Sequence, residues 1–179
     1  GKEPFNLEEL MDEVSALLDI QIKENGITHE KHRIDLRHVK LIGSPLHLRQ
    51  ILINLLSNSI KYNKENGHID TYVQEVKYND THALYEFKIV DTGIGMSKEF
   101  IANQIYKPFT QENTDARTQY KGTGLGMSIV RGLIDKMHGS IKVKSVLGEG
   151  SVFIVQIPFE LDTAEYETGI SERDCKNRG

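Results

Sequence analysis

Tryptophan is absent from this chain, cysteine occurs once, and only four of its 179 residues are proline. The single Cys175 stands in a polar stretch near the C-terminus. One thiol excludes an internal disulfide and a cysteine metal cluster, and it fits a reducing, cytoplasmic compartment. No apolar run approaches the roughly 18 residues of a membrane span, and no signal peptide opens the chain, so no direct membrane contact is expected. A strong excess of either charge is also missing. The net charge of −4 and pI near 6.0 argue against a general nucleic-acid or acidic-membrane binder. What remains, 38% hydrophobic and 27% charged residues, is the make-up of a soluble domain with a sizeable core. The abrupt Gly1 start reads as a piece cut from something longer.

Asn6 caps a helix whose apolar face is Leu7, Leu10, Met11, Val14, Leu17, Leu18 and Ile22, and Asn25-Gly26 stops it. From Ile27 to Ile42 the chain is strand-like, with Ile34, Leu36, Val39 and Leu41 facing inward. A second helix runs from Pro45 to Tyr62. Strands Ile69–Tyr78 and Ala83–Val90 flank the turn Asn79-Asp80. Ser97 caps a short helix, Gly126 to Met137 forms another, and Ile141–Val146 with Val152–Ile157 make a closing hairpin. Strands and helices mix without regular βαβ alternation, which predicts a two-layer α/β sandwich with a mixed sheet and helices on one face. Residues 1–160 are read as one domain and 161–179 as a polar tail or linker.

The second helix carries an unusual stripe. Leu48, Ile51, Leu52, Leu55, Leu56 and Ile60 recur at core spacing, while Gln50, Asn54, Asn58 and Lys61 stack along one narrow face. Asparagine is a poor helix former because its amide competes for backbone hydrogen bonds. Such a stripe is either a solvated face or a surface that meets something polar. An amide oxygen suits Mg²⁺ beside phosphate oxygens, and a lysine one turn on neutralises phosphate charge.

Two glycine-rich segments follow. Asp91-Thr-Gly-Ile-Gly-Met ends a strand; it is either a glycine turn or a carboxylate placed to accept from an adenine amino group, with Gly93 and Gly95 letting backbone approach the base. Asp-Thr-Gly also occurs in aspartic proteases, but these need a second such aspartate. Lys121-Gly-Thr-Gly-Leu-Gly-Met is neither a Walker loop nor a Rossmann fingerprint. It reads as a glycine hinge, or as free amides feeding a helix N-terminus where an anion is favoured. The polar stretch Thr110–Lys121 is long for a structureless connection and reads as a functional lid or as disorder. Its cations Arg117 and Lys121 are candidates to reach a γ-phosphate. The seven histidines lack metal-ligand spacing and are read as structural or surface residues; Ser57 and Ser59 have no histidine partner for nucleophilic catalysis.

Taken in order, these motifs resemble the catalytic and ATP-binding domain of sensor histidine kinases, within the gyrase/heat-shock-chaperone/histidine-kinase/mismatch-repair ATPase superfamily. Asn54-Leu-Leu-Ser-Asn58-Ser-Ile-Lys61-Tyr62 is similar to the N box, Asp91–Met96 to the first glycine box, Pro108-Phe109 to the F box, and Gly122–Met127 to the second glycine box. Gly148–Pro158 resembles the closing strand. The resemblance covers about residues 4 to 159.

It implies a Bergerat-type sandwich with ATP held between helices and a mobile lid. Asn58 would hold Mg²⁺, with Asn54 and Lys61 near the phosphates and Tyr62 near the adenosine. Asp91 would bind the adenine amino group, with Gly93, Ile94 and Gly95 beneath the base and the Ser151 hydroxyl joining through a water. Lys121, Gly122, Thr123, Gly124, Leu125 and Gly126 would frame the triphosphate, Arg117 would reach the γ-phosphate, and Phe109 would anchor the lid. Hydrolytic relatives carry glutamate where this chain has Asn54, and a neutral amide cannot activate water. The resemblance therefore implies phosphoryl transfer to a histidine on a dimerisation and phosphoacceptor domain outside this chain, with a response-regulator receiver domain downstream and the isolated domain monomeric. A nucleotide-sensing pseudokinase, a superfamily hydrolase and a serine kinase are the alternatives.

Overall fold

The computed structural model describes residues 1–108 and 126–164. Phe109, the stretch from Thr110 to Lys121, the segment Gly122 to Leu125, and the tail from Glu165 lie outside the described residues.

In chain order the elements are β1 (Glu3–Asn6), α1 (Leu7–Glu24), β2 (Thr28–Ile34), β3 (Lys40–Gly43), α2 (Pro45–Lys61), β4 (His68–Tyr78), β5 (His82–Asp91), α3 (Lys98–Asn103), α4 (Gly126–Lys136), β6 (Ser140–Val146) and β7 (Gly150–Leu161). The sheet runs β1-β3-β7-β5-β4-β2, with β6 also paired to β7. Only β2 and β4 pair in parallel among the described strands, so the sheet is mixed.

Period-two alternation decides which face is covered. Ile69 and Val73 on β4, Tyr85, Phe87 and Ile89 on β5, and Phe153, Val155, Ile157 and Phe159 on β7 are buried on one face. Against them pack Leu7, Leu10, Val14, Leu18 and Ile22 of α1, Leu48, Ile51, Leu52, Leu55, Leu56 and Ile60 of α2, and Val130 and Ile134 of α4. The result is a two-layer sandwich of helices on one sheet face. Caps set the helix starts: the Asn6 side chain accepts from the Glu9 amide, Ser44 from His47, and Ser97 from Phe100.

β7 is the joint of the sheet. One edge pairs with β5 along its whole length, and the other pairs first with β6, up to Gln156, and then with β3, from Glu160. Pro158 falls in the gap between those two partners, a place where a strand tolerates a missing N–H.

The structure departs from the sequence reading in four places. The strand-like run Ile27–Ile42 is two strands, β2 at one edge of the sheet and β3 next to the other edge, parted by a loop in which Asp35 takes φ +51°. A buried carboxylate holds that loop: Glu75 Oε1 accepts from the amides of Arg37 (3.0 Å) and His38 (2.8 Å), and Oε2 pairs with His38 Nδ1 (2.8 Å). Leu17 and Ile34, read as inward, are exposed: Leu17 lies outside the stripe of α1 that packs on the sheet, and Ile34 falls in the outward register of β2, two residues after His32. The short edge strand β1 has no alternation long enough to announce it; Phe5 seats it edge-on against Phe159. Leu161, assigned to the tail, is buried and closes β7.

Candidate functional site

The site gathers where the C-terminal turn of α2 meets the end of β5. Helical spacing aims successive residues of α2 in different directions. Leu55, Leu56, Ser59 and Ile60 point into the sandwich, while Asn54, Asn58 and Lys61 lie half-buried along the neighbouring face. Ser59 is therefore a hydroxyl in an apolar row, and it needs a partner. It donates to Asp91 Oδ2 at 3.0 Å.

Asp91 is buried at the last position of β5. Its Oδ1 accepts from the Gly93 amide at 2.9 Å and the Ser151 amide at 3.2 Å. Burial pushes the carboxyl above its ordinary value of 3.8, opposed by the hydrogen bonds from Gly93, Ser59 and Ser151. A carboxylate offers about four lone-pair directions, and three are used, which leaves one on Oδ2.

The glycine turn after Asp91 is pressed onto protein backbone. A Cβ on Gly93 would stand 2.6 Å from the Tyr62 carbonyl oxygen, which accepts from the Ile94 amide at 3.0 Å. Gly95 has φ +70°, and a Cβ there would stand 2.1 Å from the Val146 carbonyl oxygen. The glycines thus serve close packing of the turn against the end of α2 and the β6–β7 connection. Thr92 fixes the other side: its Oγ1 donates to Asn63 Oδ1 (2.9 Å) and accepts from the His68 amide (2.9 Å).

Behind the turn, Ser145 Oγ accepts from the Met96 amide (2.8 Å), donates to the Gly150 carbonyl (2.8 Å) and meets Ser151 Oγ (2.8 Å). The Ser151 hydroxyl is thereby turned to Ser145, and it is the Ser151 amide that touches Asp91. Neither Ser59 nor Ser145 was picked out by sequence reasoning as part of the site. Each carried a signal: a serine in the core row of a helix, and a serine in the inward register of a strand.

At the far side of α2, the Cβ position of Gly126, the first residue of α4, is 3.7 Å from Asn58 Nδ2. The Asn54 and Asn58 side-chain amides make no hydrogen bond among the described residues. Lys61 Nζ lies 5.1 Å from the centroid of the Tyr62 ring, and burial lowers the ammonium pKa and raises that of the phenol. α4 is tied to the end of α3 by Arg131, whose guanidinium lies 5.0 Å over the Tyr106 ring. The structure therefore brings Asn54, Asn58, Lys61, Tyr62, Asp91, Gly93, Ile94, Gly95, Gly126 and Ser151 into one region. Arg117, Lys121, Gly122, Thr123, Gly124 and Leu125 lie outside the described residues.

The described part of the site is thus a buried acceptor carboxylate at a glycine turn, docked on a helix with a polar amide stripe. The sequence profile of the histidine kinase-, DNA gyrase B-, and HSP90-like ATPases matches residues 43–161. The chain belongs to that family. It is 32% identical over 177 residues to the uncharacterised sensor-like histidine kinase R01002 of Rhizobium meliloti, covering 97% of this chain and 30% of that protein. It is 35% identical over 166 residues to the sensor histidine kinase GacS of Pseudomonas protegens, covering 90% and 18%. This ATPase-family chain thus spans less than a third of those relatives' length.

Among solved structures, the catalytic domain of histidine kinase ThkA superposes with TM-score 0.72 at 30% identity, covering 88% of this chain and 95% of that one. ShkA, solved full-length in complex with AMPPNP, gives TM-score 0.72 at 26% identity, covering 90% and 32%. The mixed sheet under helices is thus the fold of histidine-kinase catalytic domains. No described helix is long and apolar enough to cross a membrane.

Proposed function

We propose that this domain binds Mg-ATP and passes the γ-phosphate to a histidine on a dimerisation and phosphoacceptor domain, from which a response-regulator receiver domain takes it. The observation that carries this reading is the Ser59–Asp91 hydrogen bond. It locks the helix bearing Asn54, Asn58 and Lys61 to the turn bearing Gly93 and Gly95, so that a base reader and a phosphate-facing stripe share one cleft. The free lone pair on Asp91 Oδ2 accepts from the adenine amino group. Guanine, with a carbonyl oxygen at that position, meets repulsion there instead.

The residues present fit a magnesium ion. Asn58 offers a hard amide oxygen without a partner among the described residues, beside the start of α4. When bound, the ion neutralises charge on the phosphate oxygens. Asn58 would hold it, Asn54 and Lys61 would orient the phosphates, and Tyr62 would flank the adenosine. Lys121 to Gly126 would frame the triphosphate, and Arg117 would reach the γ-phosphate. The bond between the γ-phosphorus and the β-bridging oxygen breaks, a bond to an imidazole nitrogen forms, and ADP leaves. Asn54 supplies no base to activate water, so the histidine is the preferred nucleophile.

ShkA was solved with AMPPNP and ThkA with the response regulator TrrA, which supports both the nucleotide and the downstream partner as classes. A domain that uses ATP is expected to face the cytoplasm, and the domain alone is expected to be monomeric.

The test is calorimetry with Mg-ATP, followed by transfer of labelled γ-phosphate to a supplied acceptor domain. Wild-type protein is expected to bind and to label the acceptor with an acid-labile phosphate. Asp91→Asn keeps an oxygen for the Gly93 and Ser151 amides but offers an amide NH₂ where adenine donates, so affinity falls at least tenfold. Unchanged affinity in that variant overturns the base assignment, and binding without transfer favours a pseudokinase.

A further inference from the structure

The face of the sheet turned away from the described helices carries a second cluster of ligand-type side chains, remote in role from the nucleotide cleft. Parallel pairing of β2 with β4 sets Glu30 opposite Asp70 and His32 opposite Tyr72. These four residues share the outward register with His68. His32 Nε2 lies 2.9 Å from Asp70 Oδ1 and 3.9 Å from Glu30 Oε2, while His68 Nε2 lies 3.1 Å from Asp70 Oδ2. One ligand atom from each of Glu30, His32 and Asp70 falls within 4.8 Å of the others.

We propose that Glu30, His32 and Asp70 form a site for a borderline divalent transition ion of the zinc class, with His68 as a positioning residue. The ion would take the place of the proton between His32 Nε2 and Asp70 Oδ1. His68 keeps its hydrogen bond to Oδ2 and orients the ligating carboxylate, as outer-shell partners of metal ligands do.

Three features favour this over an ordinary surface hydrogen bond. The ligands sit on two paired strands, which fix their separation better than a loop does. The His32 ring is stacked on Tyr72, with centroids 4.4 Å apart and planes at 13°, and Lys88 Nζ lies 4.4 Å from the same Tyr72 ring. That stacking aims Nε2 at the carboxylates before any ion arrives. One imidazole with two carboxylates, plus water, suits zinc or cobalt; magnesium prefers an all-oxygen set with several retained waters.

The experiment titrates Co²⁺ and then Zn²⁺ into the full chain without nucleotide, in a Cys175→Ser background so that no thiolate competes. Expected are one Co²⁺ per chain with visible d–d bands, displacement by Zn²⁺, and a melting temperature raised by Zn²⁺. His32→Gln and Asp70→Asn should each weaken binding by roughly tenfold or more, and His68→Gln should weaken it less than His32→Gln. Glu30→Gln, at an exposed position, weakens binding without touching the fold and guards against variants that unfold. Binding at wild-type affinity in a His32→Gln/Asp70→Asn double variant, or no stoichiometric binding below millimolar metal, overturns the site. Both readouts are independent of ATP, so they stand apart from the kinase reading.

Discussion

Ser59 and Asp91 are joined across the helix–sheet boundary by a 3.0 Å hydrogen bond, although 32 residues separate them in the chain. Ser59 faces inward from α2 one residue after Asn58, and Asp91 closes β5. Ser59→Ala removes a donor from a buried carboxylate and leaves nothing in its place. The expected cost is about 1–3 kcal/mol of stability, with a further upward movement of the Asp91 pKa and weaker nucleotide binding. Urea melts and calorimetry on the same sample check both; an unchanged melt would mean that the carboxylate does not depend on this donor.

The pH dependence of Asp91 has a definite sign. Its carboxyl is raised in the folded state, so its contribution to stability is fully present below the ordinary value of 3.8 and is lost as pH rises through the folded value. Asparagine does not titrate. The stability of Asp91→Asn relative to wild type should therefore improve as pH climbs above 3.8, as read by urea melts at a series of pH values. A difference that runs the other way would mean that the three hydrogen bonds outweigh burial.

Gly95 and Gly148 both hold positive φ, +70° and +80°, but their surroundings differ. A Cβ on Gly148 meets nothing within 4 Å, whereas one on Gly95 would collide with the Val146 carbonyl. Gly148→Ala should cost about 1–2 kcal/mol, the strain of a left-handed residue alone. Gly95→Ala carries the same strain plus a backbone displacement, and should cost several kcal/mol or prevent folding. Expression yield and thermal melts of the pair separate the two effects.

Glu75 is a structural carboxylate at the opposite end of the sheet from the cleft. It holds the Arg37 and His38 amides and the His38 ring, and the Tyr85 hydroxyl, which donates to the His38 carbonyl, lies 3.4 Å from it. Glu75→Ala leaves buried donors unmatched and should destabilise by about 3 kcal/mol or more. Glu75→Gln retains an acceptor for the amides and should cost less than half of that. Nucleotide affinity of the surviving folded protein should be unchanged in both, because the loop lies away from the Asp91 turn.

Much of the architecture was readable in advance where one physical rule acted alone. The row Leu48, Ile51, Leu52, Leu55, Leu56 and Ile60 is buried as its spacing demanded, and Tyr85, Phe87 and Ile89 alternate as a half-covered strand must. Asn6 and Ser97 cap the helices they were expected to cap. The reading failed where distant partners decide. Nothing local says that residues 28–34 and 40–43 go to opposite halves of the sheet, because the carboxylate that holds the chain between them is Glu75, nearly forty positions away. Of the candidate cleft, spacing alone picked out Asn54, Asn58, Lys61, Asp91, Gly93 and Gly95, which the fold brings into one region. Its wiring was not readable: the partners Ser59 and Ser145 are recognisable only once α2, β5 and β6 are assembled.

β7 is the last of the described strands, yet it is the one that β3, β5 and β6 all require. Until residue 161 is available, β1 and β3 have only each other, and the β4–β5 pair carries an open edge. Assembly must wait for contacts that span most of the described chain, which predicts slow closure and a vulnerable half-built sheet during synthesis. Loss of merely the four residues Pro158–Leu161 would set the β1–β3 pair adrift while leaving every residue of the cleft in place.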